Sequence, residues 1–212
     1  SDHLRRDIRL KPLLGRSPGL RLPGGWDGFE IAVRAVLGQQ VSVAAATTLA
    51  KRLVSRFGQP LAHPADDALC TRFPSADALA EADLAGIGLT RRRAETLRVV
   101  ARAVAEGRVG FHPDQALEDF VDAWRALPGV GDWTAHYLAL RALGHPDAFP
   151  AGDLVLRKYV GGNMAIGERA LAAQSEAWRP WRAYAAIHLW HDAAWPAAHP
   201  PMQRRSPARK SP

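Results

Sequence analysis

Several residue types and patterns that define whole classes of protein are missing from this chain of 212 residues. Its single cysteine, Cys70, excludes an internal disulfide, a cysteine-based zinc site and a four-cysteine iron–sulfur cluster. Its histidines form no HxH or HxxxH pair, the spacings that a metal-binding helix would need. No apolar run approaches the ~20 residues that span a bilayer, and no signal-peptide pattern opens the chain. We therefore expect no metal, no cofactor and no membrane partner.

Acidic residues are fewer than basic ones. The chain has 28 Lys and Arg against 21 Asp and Glu, which gives a formal net charge of +7. Hydrophobic residues make up 47% and charged residues 23%, the proportions of an ordinary globular domain. A basic, cysteine-poor chain without a targeting signal indicates a cytoplasmic protein with an anionic partner, although charge alone does not identify that partner. The basic tail 204–212 has little to bury and is predicted to be disordered.

Strand patterns are nearly absent, and helical periodicity runs through almost the whole chain. Capping residues precede apolar positions spaced three and four apart at Asp27, Ser42, Ser75 and Thr90. Further helices are predicted after residues 112–114, from Trp133 to Leu143, after Asp153 and Gly167, and from Trp181 to Ala194. The stretch from Pro60 to Pro74 is predicted to be a loop. These patterns predict an all-α fold.

The most informative stretch is the Leu-Pro-Gly-Val-Gly sequence at 127–131, between two predicted helices. Pro128 ends the first helix, and Gly129 and Gly131 permit backbone angles that are closed to other residues. The N–H groups of Gly129, Val130, Gly131 and Asp132 then lie at the start of the next helix, where a phosphate is favoured. A simple helix–helix turn remains the alternative, since glycine turns are common.

Taken with the residues around it, this hairpin resembles the helix-hairpin-helix DNA glycosylase superfamily. The resemblance includes residues 132–135 and Asp153, which heads a helix 22 residues after Gly131. Residues 19–24, 29–30, 33–42, 178–184 and 187–190 are similar to the 3-methyladenine DNA glycosylase II family. Members of that family carry an N-terminal β-rich domain that has no counterpart here. We therefore expect this chain to be a truncated form or part of a longer protein.

The resemblance implies a two-lobed helical fold with the active site in the cleft between the lobes. One lobe would span residues 28–145 and carry the hairpin. The other would join residues 1–27 to 146–212 and carry Asp153. In this family Asp153 would be the catalytic carboxylate, stabilising positive charge on the sugar as the glycosidic bond breaks. On local evidence alone, Asp153 is better explained as an ordinary N-cap.

Other site residues follow from spacing and from the resemblance. Trp133 and Tyr137 share a helix face, and with Trp190 they would form an aromatic pocket for a cationic base, although core packing is the alternative for the first two. The resemblance places Gln40 at the wedge position, which fills the gap left by a flipped base. Arg34 is a candidate phosphate contact. Trp133 stands where strand-cutting relatives carry a Schiff-base lysine.

The sequence thus predicts a monofunctional DNA glycosylase that excises alkylated bases of the 3-methyladenine type during base excision repair. Its partner would be double-stranded DNA containing damaged bases, and we expect a monomer associated with the nucleoid. Two alternatives remain open: a glycosylase for deaminated purines, and a non-catalytic DNA-binding helix-hairpin-helix module. Base release from treated DNA separates the enzymes from the binding module.

Overall fold

The computed structural model describes residues 2–64, 66, 69–162 and 164–195, so the basic tail predicted at 204–212 lies outside the described residues. Within them the helices are α1 (Leu10–Arg16), α2 (Gly28–Leu37), α3 (Val43–Phe57), α4 (Ala76–Ala80), α5 (Arg91–Ala105), α6 (Leu117–Arg125), α7 (Asp132–Arg141), α8 (Leu154–Gly161), α9 (Glu168–Ser175) and α10 (Arg182–Ala194). Short 3-10 helices cover Leu4–Arg6 and Glu176–Trp178. The predicted all-α class is confirmed.

Helix starts follow the capping residues closely. A side-chain oxygen accepts a hydrogen bond from a first-turn N–H group at Asp27, Ser42, Ser75, Thr90 and Asp153. Each cap satisfies a donor that would otherwise have no partner within the helix, and its loss typically costs about 1 kcal/mol. Short-range polar chemistry therefore fixes where α2, α3, α4, α5 and α8 begin.

Two elements differ from the sequence-based expectation. Within the predicted loop, β1 (Gln59–Pro60) pairs antiparallel with β2 (Thr71–Arg72), with Gln59 opposite Arg72. Helix α1 forms although Pro12 and Gly15 weaken its helical propensity. Its leucines are buried in the core, so tertiary packing outweighs the local preference. These leucines are Leu10, Leu13 and Leu14.

The helices pack in two groups. Helix α2 contacts α3, α5 and α7, while α4 packs on α5 and α6 packs on α7. Helices α1 and α8 contact α10, and α9 packs on α8. The hairpin between α6 and α7 thus belongs to one group, and Asp153 at the head of α8 belongs to the other. The lobe limits 28–145, and 1–27 with 146–212, stay a prediction.

An aromatic cluster holds α6 in place ahead of the hairpin. The Trp124 ring centroid lies 5.2 Å from that of Phe111 and 5.7 Å from that of Phe120. Trp124 and Phe120 are fully buried, and each such side chain contributes about 1.5–3 kcal/mol relative to exposure. Trp178 is buried as well, whereas Trp181 is 39% exposed.

Candidate active site

The hairpin joins α6 to α7, and its two glycines have different reasons to be there. Gly129 adopts φ +88°, and a Cβ atom at this position would lie 1.9 Å from Oγ1 of Thr96. Gly131 has φ −95°, which any residue adopts, and a Cβ atom there would meet nothing within 4 Å. The expectation that both glycines need a special backbone conformation is confirmed for Gly129 and wrong for Gly131.

The backbone N–H groups of the hairpin are not equally available. Val130 N–H donates to the carbonyl of Leu127 at 3.0 Å, so the turn itself uses that donor. The N–H groups of Gly129, Gly131 and Asp132 make no hydrogen bond within the described residues, and no side chain caps α7 there. These donors lie at the positive end of the helix dipole, an arrangement that suits an anion such as a phosphate.

A carboxylate at the same helix end modifies this electrostatic environment. Asp132 is the first residue of α7, and its charge would repel a bound phosphate. The guanidinium of Arg125, on the preceding helix, lies 3.5 Å from Asp132 Oδ1. This ion pair is partly exposed and contributes little to stability, but it offsets the negative charge beside the free donors.

An open cavity of about 850 Å³ brings the separate segments together. Residues 129–131 line one part of it, and Gly152, Asp153 and Leu154 line another. Residues 38–41, between α2 and α3, also line it, as do Arg92 and Arg93 at the start of α5. The cavity therefore joins a helix end with free N–H donors, two cationic side chains and one carboxylate.

Asp153 caps α8 and lines the cavity at the same time. Its Oδ1 atom accepts hydrogen bonds from the N–H of Leu156 and from Nε1 of Trp190, both at 3.0 Å. Its Oδ2 atom accepts from Nε1 of Trp133 at 3.2 Å. The cap and the two indole donors fix a half-buried carboxylate at the cavity wall.

The three predicted pocket aromatics do come together. Trp133 stacks on Tyr137 with centroids 5.1 Å apart and planes 18° apart, and Trp190 meets the Tyr137 ring edge-on at 6.4 Å. The Arg141 guanidinium lies 5.7 Å from the Tyr137 centroid and donates to its Oη atom at 3.3 Å. Of the three aromatics, Trp133 lines the cavity. Tyr137 packs on Trp133, and Trp190 bonds to Asp153.

The turn that carries Gln40 is tied to the hairpin. Gln40 is exposed and has φ +56°, a left-handed conformation that is rare for a residue with a side chain. Beside it, Gln39 Nε2 donates to the Gly129 carbonyl at 3.2 Å, and Arg93 Nη2 donates to the Gln39 carbonyl at 2.5 Å. Sequence reasoning missed the contacts of Gln39 and Arg93, because neither contact has a local signature.

Arg34 does not join the other predicted site residues. Its guanidinium pairs with Glu30 at 2.6 Å, one turn earlier on α2, and lies 5.7 Å from the Phe73 ring centroid. It is exposed and does not line the cavity. Its role as a phosphate contact stays a prediction.

A buried ion pair holds the segment that leads to Asp153. Arg182, at the start of α10, donates from Nε to Asp147 Oδ1 at 2.9 Å and from Nη2 to Asp147 Oδ2 at 3.0 Å. Arg179 also bonds to the Asp147 carboxylate. Both Asp147 and Arg182 are buried, and removing one partner of such a pair costs about 3–5 kcal/mol. Residues 147–153 are therefore anchored to α10, the helix that carries Trp190.

Within the described part of the chain, no three or more His, Cys, Asp or Glu side chains cluster in a way that would hold a metal ion. No helix in the same residues is long and apolar enough to cross a membrane.

Comparison with known proteins identifies similar chains. The family model described as "HhH-GPD superfamily base excision DNA repair protein" matches residues 33–183. The chain is 41% identical over 202 residues to the probable bifunctional transcriptional activator/DNA repair enzyme AlkA of Mycobacterium tuberculosis, covering 94% of this chain and 40% of that protein. It is 38% identical over 181 residues to DNA-3-methyladenine glycosylase 2 of Escherichia coli, covering 84% of this chain and 62% of that protein.

A solved structure has the same fold. The 3-methyladenine DNA glycosylase Mag1 of Schizosaccharomyces pombe, in complex with abasic DNA, superimposes with a TM-score of 0.74 at 23% identity. The match covers 91% of this chain and 95% of that one. By contrast, this chain spans less than two thirds of either bacterial relative.

Proposed function

The chain belongs to the HhH-GPD superfamily of base excision DNA repair proteins, and on that basis we propose that it excises alkylated bases of the 3-methyladenine type from DNA by hydrolysis. The observation that carries the proposal is the carboxylate of Asp153, fixed by two indole N–H groups in the same cavity as the hairpin. The relatives named as 3-methyladenine glycosylases support the choice of substrate.

The two oxygens of Asp153 would have different tasks. Oδ1 already accepts two hydrogen bonds, from Leu156 N–H and Trp190, and so serves to orient the carboxylate. Oδ2 accepts one, from Trp133, a residue that also lines the cavity. We expect Oδ2 to face the sugar, where its charge would stabilise the cation that develops as the glycosidic bond breaks and would orient the attacking water.

The aromatic side chains would select the base. A base within the duplex is out of reach, so the damaged nucleotide must rotate into the cavity. A cationic alkylated base stacked on an indole gains about 2 kcal/mol once both are desolvated. Trp133 is the ring we expect to face the base, because Tyr137 is already in contact with Trp133 and with the Arg141 guanidinium.

The DNA strand would run along the rim of the cavity. The free N–H groups of Gly129, Gly131 and Asp132 would hold one phosphate without reading base identity. Arg92, which also lines the cavity, would supply a positive charge for the DNA backbone. Gln40, exposed in its left-handed turn, would contact the duplex. We further propose that the protein acts as a monomer in the cytoplasm, on the nucleoid, and that the cavity lies between lobes 28–145 and 1–27 with 146–212.

Replacing the carboxylate tests the proposal most directly. Asp153→Asn keeps an acceptor that can cap α8 but removes the charge, so we expect base release to be abolished while duplex affinity changes by no more than a few-fold. Chromatography of bases released from a methylated duplex measures the first quantity, and a gel-shift titration measures the second. Release of deaminated purines instead of alkylated ones would redirect the substrate assignment. An Asn variant with wild-type turnover would leave Asp153 as a helix cap alone.

A second experiment tests whether water is the nucleophile. No lysine is among the described residues that line the cavity, and Lys158 lies on the exposed surface near the end of α8. An imine intermediate requires an amine at the sugar, so borohydride should trap no covalent protein–DNA adduct. Gels should show strand breaks only after alkali. A trapped adduct that disappears in Lys158→Arg would contradict the hydrolytic mechanism.

A further inference from the structure

His136 lies at the point where the hairpin helix meets the segment that leads to Asp153. It is on α7, one turn after Asp132, and its side chain is mostly buried. Its Nδ1 atom accepts a hydrogen bond from the backbone N–H of Phe149 at 3.4 Å. Its Nε2 atom lies 3.9 Å from Asp132 Oδ2. One imidazole therefore links the start of α7 to Phe149, which lies 13 residues further along the chain than His136.

The contact at Phe149 bears on the position of the carboxylate. From Phe149 the chain runs through two tight turns, in which Ala151 N–H bonds to the Phe149 carbonyl and Asp153 N–H bonds to the Pro150 carbonyl, both at 2.9 Å. Phe149 and Ala151 are buried, so the turns have little freedom to shift independently. Fixing the N–H of Phe149 thus helps to fix the backbone of Asp153.

The geometry also defines the proton state of the ring. A backbone N–H can only donate, so Nδ1 must present a lone pair and the neutral ring carries its proton on Nε2. Protonation would place a second hydrogen on Nδ1, directed at the Phe149 N–H. The pKa of His136 is lowered mainly by burial. The charges of Arg182, Arg125 and Arg179 lower this pKa further, whereas the charge of Asp132 raises it. The fold therefore favours the neutral ring that this contact requires.

We propose that His136 is a positioning residue, whose neutral imidazole holds the Phe149–Asp153 segment against α7, so that acid releases the segment and lowers the rate of base excision. The proposal rests on the proposed function for its effect on rate. Its structural part, the coupling between the imidazole and the Phe149 amide, concerns the free protein alone.

Two substitutions separate positioning from mere packing. In His136→Asn, the amide oxygen takes the place of Nδ1 as an acceptor but does not titrate, whereas His136→Leu fills the space without an acceptor. We expect the Leu variant to lose about tenfold in single-turnover base release with duplex affinity within threefold, because one hydrogen bond behind the carboxylate is lost. The Asn variant should retain most of the wild-type rate at neutral pH. Its rate should fall less than the wild-type rate as the pH is lowered, because Asn does not titrate. His112→Asn, at an exposed histidine, is the matched control.

The closing experiment uses NMR on the free protein, so that it stands even if no base is released. The Phe149 amide resonance should shift with pH at the same midpoint as the His136 ring in the wild type. That shift should be absent in His136→Asn and unchanged in His112→Asn. A Phe149 amide that ignores the titration of His136 would overturn the proposal, as would Asn and Leu variants with equal rates. Absence of base release from the wild type would overturn the proposed function instead.

Discussion

At the scale of single residues, the site depends on donors aimed at one carboxylate. Oδ1 and Oδ2 of Asp153 are held by indole N–H groups from two different helices, α10 and α7. A carboxylate with this many directed partners has few alternative rotamers, so little reorganisation is needed when charge develops nearby. The cap formed with Leu156 N–H adds to this fixation, which is why the N-cap and catalytic interpretations of Asp153 are compatible.

Removing the Trp190 donor should weaken this fixation. Trp190→Phe keeps most of the aromatic area but loses the N–H, and hydrogen bonds to charged groups contribute about 1.5–3 kcal/mol. We therefore expect single-turnover base release to fall about 10- to 100-fold, with a small change in duplex affinity. Trp195→Phe is the control, since Trp195 is exposed near the end of the same helix. Equal rates for the two variants would contradict the assigned role of the indole.

At the scale of elements, the hairpin shows how much the sequence could predict. Pro128, Gly129 and the capping residues act over a few positions, so their structural effects could be derived from the sequence. Contacts such as Gln39 with Gly129, Trp133 with Asp153 and His136 with Phe149 join segments that meet only in the fold. No spacing rule encodes them, and the use of Val130 N–H within the turn was missed for a related reason, since it depends on the detailed turn geometry.

The two glycines of the hairpin should respond differently to the same substitution. Gly129→Ala forces a left-handed backbone and a collision with Thr96, so we expect a loss of at least 1–3 kcal/mol, roughly, in the free energy of unfolding. Gly131→Ala meets no neighbour and should cost at most about 1 kcal/mol through the poorer N-cap. Urea denaturation measures both. If a phosphate approaches this turn, Gly131→Ala should weaken duplex binding while the protein stays folded. Unchanged binding would argue against close backbone contact.

At the scale of the whole molecule, one buried and two half-buried histidines link stability to pH. Burial is the main cause that lowers the pKa of His136, His145 and His188 below the ordinary value of 6.5. Near pH 6 the unfolded chain therefore binds more protons at these residues than the folded chain does. In that case the free energy of unfolding rises with pH.

We accordingly expect these residues to give their full stability above pH 6.5 and to lose it as the pH falls toward their lowered pKa values. Each unit of pKa difference corresponds to about 1.4 kcal/mol. Urea denaturation at a series of pH values measures the effect, and His145→Asn should flatten the curve in part, whereas His112→Asn should not. A stability that is independent of pH between 5 and 7, roughly, would contradict this account.

The bonds around Gln39 have a mechanical consequence. Arg93 holds the backbone of Gln39 from α5, and the side chain of Gln39 holds the backbone of Gly129 and the hydroxyl of Thr134. Gln40 follows directly, so its backbone cannot move far relative to the hairpin without breaking these bonds. These bonds therefore hold Gln40 and the hairpin at a fixed separation. If DNA contacts both, as we propose, its path has to fit that separation, so the DNA rather than this part of the protein would bend.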